Sequence, residues 1–184
     1  MTDTGWRPGR QRPLPAGRIS AWLLAGLLLA PLAGCAGTEA AAPLSATFAS
    51  PEELAAAVVI ALEARDSERL MSLALSEAEF RTHVWPRLPA SRAGRNVPFE
   101  FVWGRLHQQS RQSLGATLAR HGGRRLEVLA VRFHGATTDY GPFVVTRDPE
   151  TIVRDEEGRH RSLRLFGSIL RQAGRYKLFS YVVD

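Results

Sequence analysis

Gly122-Gly123 divides this chain into two halves whose apolar residues recur with different periods, and that switch limits the fold more than any other feature. Before it, Phe99, Val102, Trp103, Leu106, Ser110, Leu114, Thr117 and Leu118 repeat every three to four residues, which places them on one face of a long helix. After it come short runs rich in β-branched and aromatic residues: 126–134, 138–146, 151–154, 161–170 and 176–183. Gly135-Ala136, Asp155-Glu156-Glu157-Gly158 and Gln172-Ala173-Gly174 mark the reversals between them. Helices first and adjacent hairpins second predict an α+β fold, with N-terminal helices covering one face of a C-terminal antiparallel sheet.

The helical half carries its own punctuation. Ser50-Pro51-Glu52-Glu53 combines a capping serine, a proline in the first turn and a glutamate placed to complete a capping box, so a helix starts there and runs to Arg65-Asp66. Leu54, Val58, Ala61 and Leu62 form its apolar stripe, widened by Val59 and Ile60. Asp66-Ser67 opens a second short helix through Leu70, Leu73 and Ala74. Ser76-Glu77-Ala78-Glu79 repeats the capping pattern for a third, which Pro86 and Pro89 end. Residues 86–97 hold turn formers and charge without periodicity and read as an exposed loop. Pro98 suits the start of the long helix, and Gly122-Gly123 suits its end.

The order of elements over residues 50–184, with Gly174-Arg175-Tyr176-Lys177-Leu178 leading into a last strand, resembles the NTF2-like, or cystatin-like, superfamily. That resemblance implies helices resting in the concavity of a strongly curved antiparallel sheet. It also implies a pocket between helix and sheet, lined by a subset of the aromatic residues, where members bind or transform small apolar molecules. An Asp or Glu beside a Tyr or His usually supplies their acid/base chemistry.

Glu100, Trp103 and His107 are the candidate pocket residues, because their spacing of three and four brings them to one side of the long helix. A histidine beside a carboxylate there suits a general base near neutral pH, against the plainer alternative of a half-buried histidine and a surface acid. The remaining histidines, His83, His121, His134 and His160, show no metal-ligand spacing, so neither a metal nor another cofactor is expected. No Gly-x-Ser-x-Gly elbow accompanies any serine. Gly122-Gly123-Arg124-Arg125 closes a helix where a phosphate cradle would open one.

The first 35 residues have a different character. Arg7, Arg10, Arg12 and Arg18 precede the apolar run 21–30, and Leu32-Ala33-Gly34-Cys35 follows with the chain's only cysteine. The apolar run is too short to span a bilayer comfortably. The pattern of aliphatic, small, small, Cys resembles the lipobox of bacterial lipoproteins. The resemblance implies diacylglyceryl transfer to the Cys35 thiol, cleavage before it and acylation of the new amino terminus, and two or three acyl chains anchor stably. The expected organisation is thus a signal peptide at 1–34, a flexible tether at 35–49 and a single α+β domain at 50–184. Ala36 after the lipidated cysteine, in place of aspartate, points to the outer membrane, facing the periplasm.

Removal of the signal leaves 150 residues, enough for one core, and takes four arginines and Asp3 with it, so the formal charge falls from +6 to +3. Lys177 is the only lysine, which makes the high arginine content a matter of codon usage and gives no ground for nucleic-acid binding. A membrane surface or cell-wall polymer is the anionic surface within reach of a tethered domain. The expected function is a non-enzymatic binding or assembly module of the cell envelope, attached through Cys35, whose partner is an envelope protein or a small apolar ligand. A pocket enzyme or small-molecule carrier of NTF2-like type is the alternative.

Overall fold

Both helical caps and the sheet's glycines leave direct marks on the computed structural model, which describes residues 43–95 and 97–183. Cys35 and the whole expected signal peptide lie outside the described residues. Helix α1 (Pro51–Glu63) begins where Ser50 Oγ accepts the Glu53 amide at 3.1 Å and Glu53 Oε2 accepts the Ala49 amide at 2.9 Å. Asp66 caps α2 (Ser67–Leu73) through the Arg69 amide at 2.8 Å. Ser76 and Glu79 form the reciprocal capping box of α3 (Glu77–Glu79). That helix widens into a π-helical turn at Phe80–Val84. Two 3-10 turns, Trp85–Arg87 and Pro89–Ser91, occupy much of the expected loop, because Leu88 between them packs inward. Helix α4 (Phe99–His121) is the longest, and beyond it Gly123, at φ 79°, donates its N–H to Leu62 O at 3.0 Å, tying the end of α4 to the end of α1.

Seven strands follow: β1 (Glu127–Phe133), β2 (Thr137–Asp139), β3 (Val144–Arg147), β4 (Pro149–Arg154), β5 (His160–Leu163), β6 (Ser168–Gln172) and β7 (Arg175–Ser180). They form two antiparallel sheets, ordered β1-β4-β5 and β2-β3-β6-β7. The fold is α+β, with the helices preceding the sheets. The sheets are one meander creased along a single line. The chain bends from β1 to β2 at His134-Gly135-Ala136, from β3 to β4 at Asp148 (φ 52°), and from β5 to β6 at 164–167. His134 N donates to Asp148 O at 3.1 Å, and Asp148 N to Gly167 O at 2.9 Å, so hydrogen bonding continues across the crease. Glycine is required where backbones meet there: a Cβ on Gly167 would lie 1.4 Å from Val182 O, and one on Gly135 2.8 Å from the Arg147 carbonyl carbon.

Several expectations shift. Gly135-Ala136 is a crease and not a reversal. The reversal falls inside the expected strand 138–146, at Gly141 (φ 88°), whose amide donates to Asp139 Oδ1 at 2.7 Å as in an Asx turn. The expected strand 161–170 breaks at the same crease, and β7 stops at Ser180. One covered face describes only the three-stranded sheet, in which Pro149, Thr151 and Val153 of β4 are buried while the residues between them are less so. The four-stranded sheet is covered on both faces. Ile169 packs into a core with Leu54, Val58, Leu62, Leu70, Phe166 and Tyr181, whereas Leu170 packs into a second with Phe80, Val84, Phe99 and Phe143.

The expected tether 35–49 is also too long. Its last residues are docked: Phe48 bridges Tyr176 of β7, with Phe48 N donating to Tyr176 O at 2.8 Å and Tyr176 N to Phe48 O at 2.9 Å. Leu44 packs against the second core. The β7 edge offers unpaired backbone groups, and Phe48 satisfies those of Tyr176.

Candidate functional site

The helical spacing brings Trp103 and His107 together but leaves Glu100 apart. Trp103 and His107 stack with ring centroids 5.4 Å apart and planes at 35°, and Trp103 also lies 5.4 Å from the Phe80 ring. Glu100 points outward, its side chain 75% exposed and its Oε1 3.7 Å from the Arg81 guanidinium. Arg81 in turn sits 3.6 Å over the Phe99 ring and bonds Glu77 at 3.0 Å. Beside the first turns of α4, Phe80, Phe99, Trp85, Trp103 and Phe179 fill the expected space through successive ring contacts at 5.4 to 6.2 Å, and farther along the helix a groove of about 220 Å³ remains between Leu106 and Gln109 of α4 and Tyr140, Arg147 and Phe179 of the sheet side. His107 faces instead an open groove of about 460 Å³ between α2 and α4, with Met71 and Leu114 as apolar lining and Glu68 and Arg111 as charged lining.

The most completely built polar arrangement is one the sequence reading missed. Lys177 on β7 and Glu79 at the end of α3 are both buried, with Nζ and Oε2 3.3 Å apart. Lys177 Nζ also donates to Ser45 O at 2.8 Å. Ser45 N and Oγ donate to Glu79 Oε1 at 2.7 and 2.9 Å, while Glu79 Oε2 accepts the Ser76 amide. Burial opposes ionisation of Glu79, but the Ser76 and Ser45 amides and the Lys177 charge outweigh it and hold the carboxyl below its ordinary range. Burial likewise pulls the Lys177 ammonium down, and Glu79 pushes it back only in part. Every element of this clasp holds residues 45–48 on the body, and Arg175 Nη2 adds a bond to Thr47 O at 2.8 Å. The available signal was a lone lysine in an apolar strand of an otherwise all-arginine chain.

A larger groove, about 570 Å³, lies between the segment after α4 and the β4–β5 hairpin. Asp155 at its wall accepts from Arg161 Nε at 2.6 Å and Arg159 Nε at 2.9 Å; the Arg161 bond foremost holds its carboxyl far below the usual range. Burial, with Arg124 and Arg120 nearby, lowers the pKa of His121 on the opposite wall. The groove's ion pairs are largely internal: Arg159 also binds Glu157, and Glu156 accepts the Arg125 amide at 2.9 Å. Among the described residues no three His, Cys, Asp or Glu side chains converge as metal ligands, and no helix is long and apolar enough to cross a membrane.

Comparison with protein-family models, with curated proteins and with solved structures finds no match to this chain.

Proposed function

We propose that this chain is a lipid-anchored protein of the bacterial cell envelope that acts as a binding or assembly module held against a membrane, and that its lipid is carried on Cys35. The docked segment carries the reading furthest. With residues 44–49 fixed to β7 and the second core, only the residues between Cys35 and Leu44 connect an acylated cysteine to the folded body. Eight residues, at the linker scaling of about 5–6 Å × √n, span roughly 16 Å on average. That is comparable with the domain's own radius of gyration, about 14 Å for a chain of this size. Work at the bilayer surface suits such a geometry, and work in the bulk periplasm does not.

The aromatic rings near the start of α4 pack against one another and leave between that helix and the sheet a groove of only about 220 Å³, below the roughly 300 Å³ at which small-molecule pockets begin, which supports a surface role. The creased four-strand meander with helices on its faces supports the NTF2-like resemblance as a scaffold. The groove beside His107 favours the carrier reading to the extent that Met71 and Leu114 offer an apolar floor. Cys35→Ser tests the anchor. The wild-type chain is expected in the detergent-extracted membrane fraction and the variant in the soluble envelope fraction; continued membrane anchoring of the variant defeats the proposal.

A further inference from the structure

We infer that the face formed by the start of α4 and the turns before it is the one that lies on the bilayer, and that it binds anionic phospholipid headgroups. The inference rests on the lipid anchor proposed above and adds which surface the anchor presents. Three observations converge on this face.

The first is charge. Between Arg81 and Arg105 the chain carries five arginines, Arg81, Arg87, Arg92, Arg95 and Arg105, against the single acid Glu100. That local excess of four exceeds the formal +3 of the chain from Cys35 onward, so the remainder is slightly acidic. Arg81 is engaged with Glu77 and Glu100. Arg87, Arg92, Arg95 and Arg105 are exposed, and among the described residues none forms an ion pair. Guanidinium forks left open in this way suit phosphate oxygens.

The second is an apolar side chain. Phe101 is 62% exposed on the outward face of the first turns of α4, and Arg105 follows one turn on along the same face. An exposed aromatic ring with an arginine one turn along suits the headgroup region of a bilayer, where the ring enters the acyl boundary and the cation stays with the phosphates.

The third is where the anchored chain leaves the body. Ser45 is bonded to Glu79, two residues before Arg81, and Leu44 packs on the core that Phe80, Val84, Trp85, Leu88 and Phe99 build. The covalent path from the membrane therefore arrives beside this segment. A tether comparable with the domain's radius of gyration keeps these arginines within about two Debye lengths of the surface, each Debye length about 8 Å at physiological salt.

The test uses the mature lipoprotein, whose acylated Cys35 leaves no free thiol, with Phe101→Cys carrying an environment-sensitive fluorophore. It is reconstituted into phosphatidylcholine vesicles with and without phosphatidylglycerol, beside a control labelled at Glu157→Cys on the β4–β5 hairpin. The expected result is a blue shift at position 101 that requires phosphatidylglycerol, reverses in high salt and is absent at 157. Arg92→Glu with Arg95→Glu should lower the membrane-facing fraction at least about tenfold, since each arginine near an anionic surface contributes about a fivefold factor. A protein that floats with the vesicles while position 101 stays as water-exposed as 157 overturns the inference and leaves the anchor standing. Failure to float with any vesicle removes the anchor and the inference together. An equal blue shift at position 101 with and without phosphatidylglycerol shows apolar insertion without recognition of anionic headgroups and also overturns it.

Discussion

Lys177→Met strikes the clasp that holds Ser45 on the body, and its cost follows from the geometry. The Lys177 side chain is 1% exposed, and its Nζ lies 2.8 Å from Ser45 O and 3.3 Å from Glu79 Oε2. Removal of the cation leaves a buried carboxylate without a counter-charge, a change that costs about 3–5 kcal/mol. Glu79 keeps its bonds from Ser45 and Ser76, which places the expected loss near the lower end, about 3 kcal/mol. For a domain of this size that corresponds to a fall in Tm of roughly 10 °C. Glu79→Gln in the same background removes the orphaned charge yet retains an acceptor for the capping amide, so the double variant should recover about half of the loss. Thermal melts followed by circular dichroism give both numbers, and limited subtilisin digestion reads whether residues 43–49 have come free. A Lys177→Met chain that melts within about 2 °C of wild type, with that segment still protected, would refute the account of the clasp.

Gly167→Ala should destabilise by about 3 kcal/mol or more, because a Cβ 1.4 Å from Val182 O forces backbone to move; Gly158→Ala, where the space is open, should lose only about 1 kcal/mol from its positive φ, and chemical denaturation compares the two. Acidification should loosen the domain through Glu79. Its carboxyl is held below the ordinary value in the folded state, so it contributes stability at neutral pH that fades as pH falls below about 4.3, the unfolded carboxylate's value, and through the folded one. Urea midpoints should show that dependence weakened in Glu79→Gln. Tyr181→Phe removes a fully buried hydroxyl that donates to Leu70 O at 2.6 Å and should cost about 1–2 kcal/mol, read as a Tm shift without change of fold.

Local signals in the sequence carried the helices and the order of elements. Ser50, Asp66 and Ser76 cap the helices they announce, and Gly122-Gly123 ends α4, because capping is chemistry between residues three or four apart. The crease was not legible. Gly167 lies unmarked inside the expected strand 161–170, and its close approach to Val182 O, where a Cβ would lie 1.4 Å away, is a long-range event that no local pattern shows. Residues 44–49 misled for a related reason: their small, aperiodic composition reads as tether, and only the free edge of β7 gives Phe48 a partner. Of the candidate site, the Trp103–His107 stack follows from helical spacing alone. Glu100 departs from it: its side chain is 75% exposed and its carboxylate lies 3.7 Å from Arg81, on a different element that helical spacing does not reach. The Lys177–Glu79–Ser45 clasp joins three segments 34 and 132 residues apart in sequence, beyond the reach of any local pattern.

The central claim, a body held to a membrane through Cys35, is tested most directly by the intact mass of the mature protein purified from bacterial membranes. The account predicts a chain that begins at Cys35 and carries the added mass of a diacylglyceryl group, with or without an amide-linked acyl chain. A chain that begins elsewhere, or that retains a free Cys35 thiol, would contradict it.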